Sequence, residues 1–148
     1  MKAYVVGSWK GENYESFLEV QRILELAGYE VLKQQDLVGK KLKPEEAIVK
    51  KEQLLGVSDF VVRLWTEDLP KDENAASRLV SPILEKGKLL VTIIVPPTQR
   101  DALPECVKAN SKYIFDLSDF EQPSHLASAL KFIARDLEGG GVFTGEAE

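Results

Sequence analysis

Four carboxylates crowd one short stretch of the sequence, TEDLPKDEN, and could do acid–base or nucleophilic chemistry. They are Glu67, Asp68, Asp72 and Glu73, and they follow the apolar run from Phe60 to Leu64. When two carboxylates lie close together their proton affinities separate, so one can act as an acid and the other as a base or nucleophile. Glu73 and Asp68 are the candidate catalytic residues. The alternative, which the pattern alone favours, is a solvated loop whose acids stabilise the next helix N-terminus.

A second stretch, GSWKGEN, precedes the first helical pattern and could bind an anion or a base. Backbone amides around its glycines, next to a helix N-terminus, favour a phosphate or carboxylate, and Trp9 could stack on a base. With Asp72 from the acidic loop, the predicted ligand-binding residues are Gly7, Ser8, Trp9, Gly11, Asn13 and Asp72. The alternative is that the glycines only form the turn and that Trp9 shields the helix. Neither established glycine-rich phosphate-binding pattern is present.

No cofactor or metal site is predicted. GSWKGENYES has some likeness to the phosphate loop of flavodoxins, but it lacks the phosphate-binding threonines, and the loops LVGKKLK and PPTQRDALP offer no aromatic residue to a flavin. One histidine, His125, and one cysteine, Cys106, cannot form a structural zinc site without carboxylates. Cys106 lies near a possible helix N-terminus, which could lower the pKa of its thiol, but no sequence signature of a reactive cysteine accompanies it.

The elements that must position these loops alternate between strands and helices. Strand-like apolar runs cover Ala3 to Val6, Tyr29 to Leu32, Phe60 to Leu64, Leu89 to Val95 and Tyr113 to Phe115. Four helical patterns alternate with these runs. The first begins at Asn13, as its cap, and ends at Gly28, and the others cover Pro44 to Gly56, Glu105 to Asn110 and Pro123 to Gly139. The segment after the acidic loop contains Pro82, so we predict a kink there or two short helices, the second capped by Ser81.

This alternation predicts a doubly wound α/β domain over residues 1–138, with a flexible tail over residues 139–148. The near-continuous apolar strands suit a parallel sheet with helices on both faces, and the flavodoxin-like order 2-1-3-4-5 fits best. Ligands in such sheets bind beyond the carboxyl ends of the strands at the switch point, here between the first and third strands. Both candidate loops lie there.

Composition narrows the class of protein. The 148 residues are 44% hydrophobic and 29% charged, with a formal charge of −5 and scattered Lys and Arg residues. That charge repels phosphate backbones, which argues against a nucleic-acid partner. Because no signal-like segment opens the sequence and no apolar run approaches the roughly 20 residues that span a bilayer, we predict a cytoplasmic protein without a membrane segment.

Several stretches together resemble two families of flavodoxin-like domains. LAGYEVLKQQDLVGKKL, LLGVSDFVVRLW, ILEKGKLLVTIIV and LPECVKANSKYIFDL look like the boxes of bacterial Toll/interleukin receptor (TIR) domains. Nucleoside 2-deoxyribosyltransferases share the opening strand, GYEV and SDFVV. The late LP and YIFDL favour the TIR family.

The resemblance implies catalysis by a glutamate on the helix after the third strand, which attacks or stabilises an anomeric carbon as an N-glycosidic bond breaks. Counting back from Gly87, which aligns with a glycine in both families, places this glutamate at Leu79 or, in another register, at Arg78. Neither side chain is a nucleophile. Glu73 could substitute if its loop folds inward.

Two hypotheses follow, beside a flavodoxin-like domain of unrelated role. The first is a catalytically degenerate TIR-like signalling or interaction domain, which forms a homo-oligomer, contacts a protein partner or holds a nucleotide-like ligand. The second is an active deoxyribosyltransferase-like or NAD-cleaving enzyme that uses Glu73 or Asp68 on a nucleoside or dinucleotide. The fold alone does not decide between them, whereas release of a free base does.

Overall fold

The described residues form one five-stranded parallel sheet. The computed structural model describes residues 1–7, 12–33 and 43–139. Its strands are β1 (Lys2–Val6), β2 (Glu30–Lys33), β3 (Phe60–Trp65), β4 (Leu89–Ile94) and β5 (Tyr113–Asp116). Their order is β2-β1-β3-β4-β5, and every neighbouring pair is parallel. The predicted fold class and strand order are therefore confirmed.

Five α-helices cover the two faces of this sheet within the described residues. They are α1 (Glu12–Leu26), α2 (Pro44–Val57), α3 (Glu73–Glu85), α4 (Glu105–Asn110) and α5 (Pro123–Gly139). Helix α1 begins at Glu12, so the prediction that Asn13 caps it is wrong, since Asn13 is its second residue. The predicted tail, 139–148, lies outside the described residues apart from Gly139. No helix in the described ranges has both the length and the apolar character needed to cross a membrane.

Helix α3 is one continuous helix through Pro82, so the predicted division into two helices is wrong. Its buried residues Ala76, Val80 and Ile83 hold the helix to the sheet on both sides of the proline. Pro82 itself is exposed. Ser81 does not cap a second helix; its Oγ donates to the carbonyl of Ser77 at 2.7 Å. Packing therefore outweighs the missing backbone donor.

Glycine ends α1 as the sequence indicates. Gly28 has a φ of 96°, a conformation that side chains with a Cβ rarely adopt. Its N–H donates to Glu25 O at 3.0 Å, and the N–H of Tyr29 donates to Leu24 O at 3.1 Å, which together satisfy two free carbonyls of the last turn. The chain then turns directly into β2.

Each face of the sheet has its own hydrophobic core. Helices α1 and α5 cover the first, which we call the α1–α5 face, through residues such as Phe17 and Leu130. Helices α2, α3 and α4 cover the second, the α2–α4 face, through residues such as Leu55, Val80 and Val107. Because side chains alternate along a strand, Val61, Arg63 and Trp65 of β3 belong to the α2–α4 face.

Candidate functional site

Gly7 is the described part of the predicted anion-binding loop, and its small size has a packing reason. A Cβ at Gly7 would lie 2.7 Å from Cδ2 of Phe17, a side chain that is completely buried. The glycine thus lets the end of β1 lie directly against α1. Ser8, Trp9 and Gly11 lie outside the described residues, as does the side chain of Asn13. Their role in ligand binding stays a prediction.

Two acids of the predicted site make local contacts. Asp72 is the N-cap of α3, and its Oδ2 accepts a hydrogen bond from the backbone N–H of Ala75 at 3.1 Å. Asp68 lies in the turn after β3, and its Oδ1 accepts a short hydrogen bond from the hydroxyl of Thr66. This acidic loop therefore stabilises its own turn and the following helix N-terminus, as the alternative interpretation holds.

Glu73 reaches across to the N-terminus of α4, 32 residues further along the chain. Its carboxylate accepts hydrogen bonds from the backbone N–H groups of Glu105 and, at 3.1 Å, Cys106. Hydrogen bonds from Cys106, first from its thiol and then from its backbone, lower the pKa of Glu73 below its ordinary value of 4.5. Two free donors of a helix end are thus satisfied by a side chain from another helix.

The thiol of Cys106 is not activated by its position near the N-terminus of α4. Burial, followed by hydrogen bonding and charge repulsion from Glu73, raises the pKa of its thiol above the ordinary value of 9.0. The lowering that the N-terminus of α4 could produce is outweighed by burial of the thiol and then by the neighbouring carboxylate of Glu73. The thiol donates weakly to the main-chain carbonyl of Glu73 at 3.9 Å.

The open space at the predicted switch point is a cleft of about 460 Å³ between β1, α2, β3 and α3. We call it the switch-point cleft. The lining side chains that bear on ligand binding are Tyr4, Lys51, Glu52, Arg63, Arg78 and Leu79. It runs along the α2–α4 face at the boundary of β1 and β3, and it reaches the switch point at Gly7, just after β1 ends.

Arg63 is the unusual residue of the switch-point cleft, and the sequence analysis missed it. Its Nε atom is buried and has no hydrogen-bond partner within the described residues. Burial lowers the pKa of its guanidinium to about 10, although Tyr4 and Asp68 act in the opposite direction. Burial likewise raises the pKa of Tyr4, which keeps its hydroxyl a hydrogen-bond donor. The missed signal was a single charge inside the apolar run FVVRLW.

The glutamate position implied by the family resemblance lies in this cleft. Both Leu79 and Arg78, the residues of the two alignment registers, line it. Glu73 does not; it is six residues before Leu79, which places it about 120° away around α3, toward α4. Among the described lining residues only Glu52, an exposed residue of α2, carries a carboxylate.

A second cleft of about 430 Å³ lies beyond the carboxyl ends of β3 and β4. Its charged lining side chains are Glu67, Lys71 and Asp101. It lies away from the switch point and contains no buried charge, so it is the weaker candidate for a ligand site. No group of three or more His, Cys, Asp or Glu residues in the described ranges is arranged to hold a metal ion.

Comparison with known proteins supports the fold. The sequence matches no family model and no curated protein. Among solved structures, a 2-deoxyribosyltransferase from Bacillus psychrosaccharolyticus, described as a biocatalyst for nucleoside synthesis, matches with a TM-score of 0.67 at 10% identity, over 86% of this chain and 90% of the other.

Two further structures match at similar levels. A CMP N-glycosidase from Clostridium botulinum has a TM-score of 0.60 at 10% identity, over 90% of this chain and 99% of the other. A protein from Burkholderia pseudomallei described as related to pilus assembly has a TM-score of 0.56 at 16% identity, over 91% and 90%. The chain therefore has the fold of the flavodoxin-like group, which includes proteins that act on nucleosides and nucleotides.

Proposed function

We propose that this protein binds a nucleoside or nucleotide in the switch-point cleft. The position of the cleft beside Gly7, between β1 and β3, carries the proposal, because ligands of doubly wound sheets bind at that point. The cleft combines apolar walls with a few hydrogen-bond donors, which is the usual lining of a small-molecule site. The fold shared with a 2-deoxyribosyltransferase and a CMP N-glycosidase agrees with a ligand of this class.

The ligand is held without rapid cleavage of its N-glycosidic bond. That reaction passes through an oxocarbenium-like transition state, which a carboxylate beside the anomeric carbon stabilises. The α3 wall of the cleft offers Leu79 and Arg78 instead. A cationic wall disfavours a developing positive charge.

Active N-glycosidic chemistry is the second candidate, and the position of Asp68 favours it. Asp68 interacts electrostatically with Arg63, which lines the cleft, although Asp68 itself is not one of the lining residues. Glu73 is the less suitable carboxylate, because two backbone N–H groups of α4 occupy it. In this candidate Asp68 would stabilise the anomeric carbon of a nucleoside or of NAD.

The TIR-like form of the hypothesis adds protein association in the cytoplasm. The exposed apolar side chains Ile48, Val49 and Val57 of α2 are the surface that we assign to it. Light scattering over a range of protein concentrations tests self-association.

Chromatography that detects a released free base distinguishes ligand binding from catalysis. The protein is incubated with NAD, deoxynucleosides and CMP, and thermal shift is recorded on the same mixtures. We expect a ligand-dependent rise in melting temperature and no released base. The variant Leu79→Glu, which restores the missing carboxylate, should gain slow release, whereas the matched Leu79→Gln variant should not.

Release by the unaltered protein that disappears in Asp68→Asn would replace the binding proposal with the enzymatic candidate. Release that disappears in Glu73→Gln would instead assign the chemistry to Glu73. Neither release nor a thermal shift with any of these compounds would contradict both candidates and leave association as the remaining function.

A further inference from the structure

Arg63 poses an energetic problem in the ligand-free protein. It is the third residue from the C-terminal end of β3, with Val61 and Trp65, both completely or almost completely buried, on the same side of the strand. A buried ion is costly unless a counter-charge and hydrogen bonds compensate it. Among the described residues, no carboxylate lies within ion-pair distance of the guanidinium, and its Nε has no acceptor.

Most side chains around Arg63 are hydrogen-bond donors rather than acceptors. Tyr4 lies on the neighbouring strand β1 and interacts with the guanidinium electrostatically. Arg78 of α3 and Lys51 of α2 line the same cleft, and Glu52 of α2 offsets one of these charges. The cleft therefore has a net positive lining in a chain whose formal charge is −5.

We infer that the switch-point cleft is a phosphate site in which Arg63 binds the phosphate of a phosphorylated nucleoside or sugar. The planar guanidinium matches two phosphate oxygens at once, and Arg63 lines the cleft while one of its donors, the buried Nε, has no partner among the described residues. Arg78 binds the same group from the α3 side, and the Tyr4 hydroxyl provides a neutral donor at the base of the cleft. A local positive field in an acidic protein also directs anions to this point.

This inference rests on the proposed function, because it uses the same cleft and specifies the ligand as a nucleotide rather than a free nucleoside. The phosphate has two possible sources, a nucleotide or a simpler sugar phosphate. The test therefore compares cytidine with CMP, adenosine with AMP, and both pairs with ribose 5-phosphate and inorganic phosphate.

Calorimetric titration of the full chain measures each affinity. We expect CMP and AMP to bind about tenfold or more tightly than cytidine and adenosine, the gain typical of a charge-assisted hydrogen bond. In Arg63→Met this advantage should fall to within about twofold, and Arg63→Lys, which keeps the charge but loses the planar fork, should retain part of it. Arg22→Met, which removes an exposed charge on α1, should change nothing.

A circular dichroism spectrum and melting curve confirm that each variant is folded. Equal affinities for nucleosides and nucleotides would overturn the phosphate site and leave the proposed function intact. Arg63-dependent binding of ribose 5-phosphate, with CMP and AMP no tighter, would support the phosphate site and overturn the nucleoside proposal. No binding of any compound would overturn both.

Discussion

The two faces of the sheet are built on the same five strands but differ in the polarity of the side chains that they bury. On the α1–α5 face, the inward residues of β1, β3 and β4 are apolar and completely buried: Ala3, Val5, Phe60, Val62, Leu64, Val91 and Ile93. On the α2–α4 face, the corresponding rows include Tyr4, Arg63 and Thr92. The first face is a closed core, whereas the second combines a core with a cleft lined by a partly buried charge, Arg63.

On the closed face, the hydroxyl of Tyr29 has both a donor and an acceptor, whereas the buried Nε2 of Gln21 on α1 has no acceptor among the described residues. The hydroxyl of Tyr29 donates to the carbonyl of Leu130 and accepts from the N–H of Ala134 at 2.9 Å, so it lies within one turn of α5. Its ring packs edge-to-face on Phe60 with centroids 5.0 Å apart. The satisfied hydroxyl of Tyr29 fixes α5 on the sheet, and Arg63 differs from Gln21 because its unsatisfied Nε belongs to a charged group that lines a cleft.

The largest expected effect comes from breaking the closed face. Phe17→Ala removes a completely buried ring from α1 and should lower the free energy of unfolding by about 3–5 kcal/mol. The matched control is Phe132→Ala on α5, where the ring is 57% exposed, and we expect a change within about 0.5 kcal/mol. Urea denaturation measures both. Similar losses for the two variants would contradict the assignment of stability to this core.

On the α2–α4 face we expect a substitution that raises the free energy of unfolding rather than lowering it. Arg63→Met replaces a partly buried guanidinium, whose Nε has no acceptor among the described residues, with an apolar side chain of similar length, and should raise the free energy of unfolding of the ligand-free protein by roughly 1–3 kcal/mol. Arg78→Met, at an exposed position of the same cleft, should leave it nearly unchanged. Destabilisation by Arg63→Met would show that the guanidinium already has a compensating partner without ligand.

The sequence predicts the fold well because local signals agree with one another. Apolar β-branched runs, Gly28 after α1 and Pro44 at the start of α2 each mark an element, and their alternation determines the class and strand order. The errors lie where packing decides. Pro82 argues for a break in α3, but the buried stripe of that helix keeps it continuous.

The candidate site was predictable only in part. Its location at the switch point follows from the strand order, and Leu79, the position that aligns with the glutamate of the families that the chain resembles, lines the cleft. The role of Glu73 was not accessible, since its partners Glu105 and Cys106 are distant in sequence and come close only through packing of α3 on α4. Arg63 was visible in FVVRLW, but only the structure shows that its Nε lacks an acceptor.

The smallest expected effect tests whether Glu73 stabilises the fold of the α2–α4 face or takes part in a reaction there. The pKa of Glu73 is lowered in the folded protein, so its ionised carboxylate stabilises the fold above the unfolded value near 4.5, and this contribution is lost as the pH falls through the lower folded value. Glu73→Gln should therefore melt at a slightly lower temperature than the unaltered protein at pH 7, with the difference shrinking below pH 4.5. Asp119→Asn, at an exposed acid outside α3 and α4, provides the control. A melting difference that is independent of pH would mean that the amide serves the N-terminus of α4 as well as the carboxylate does.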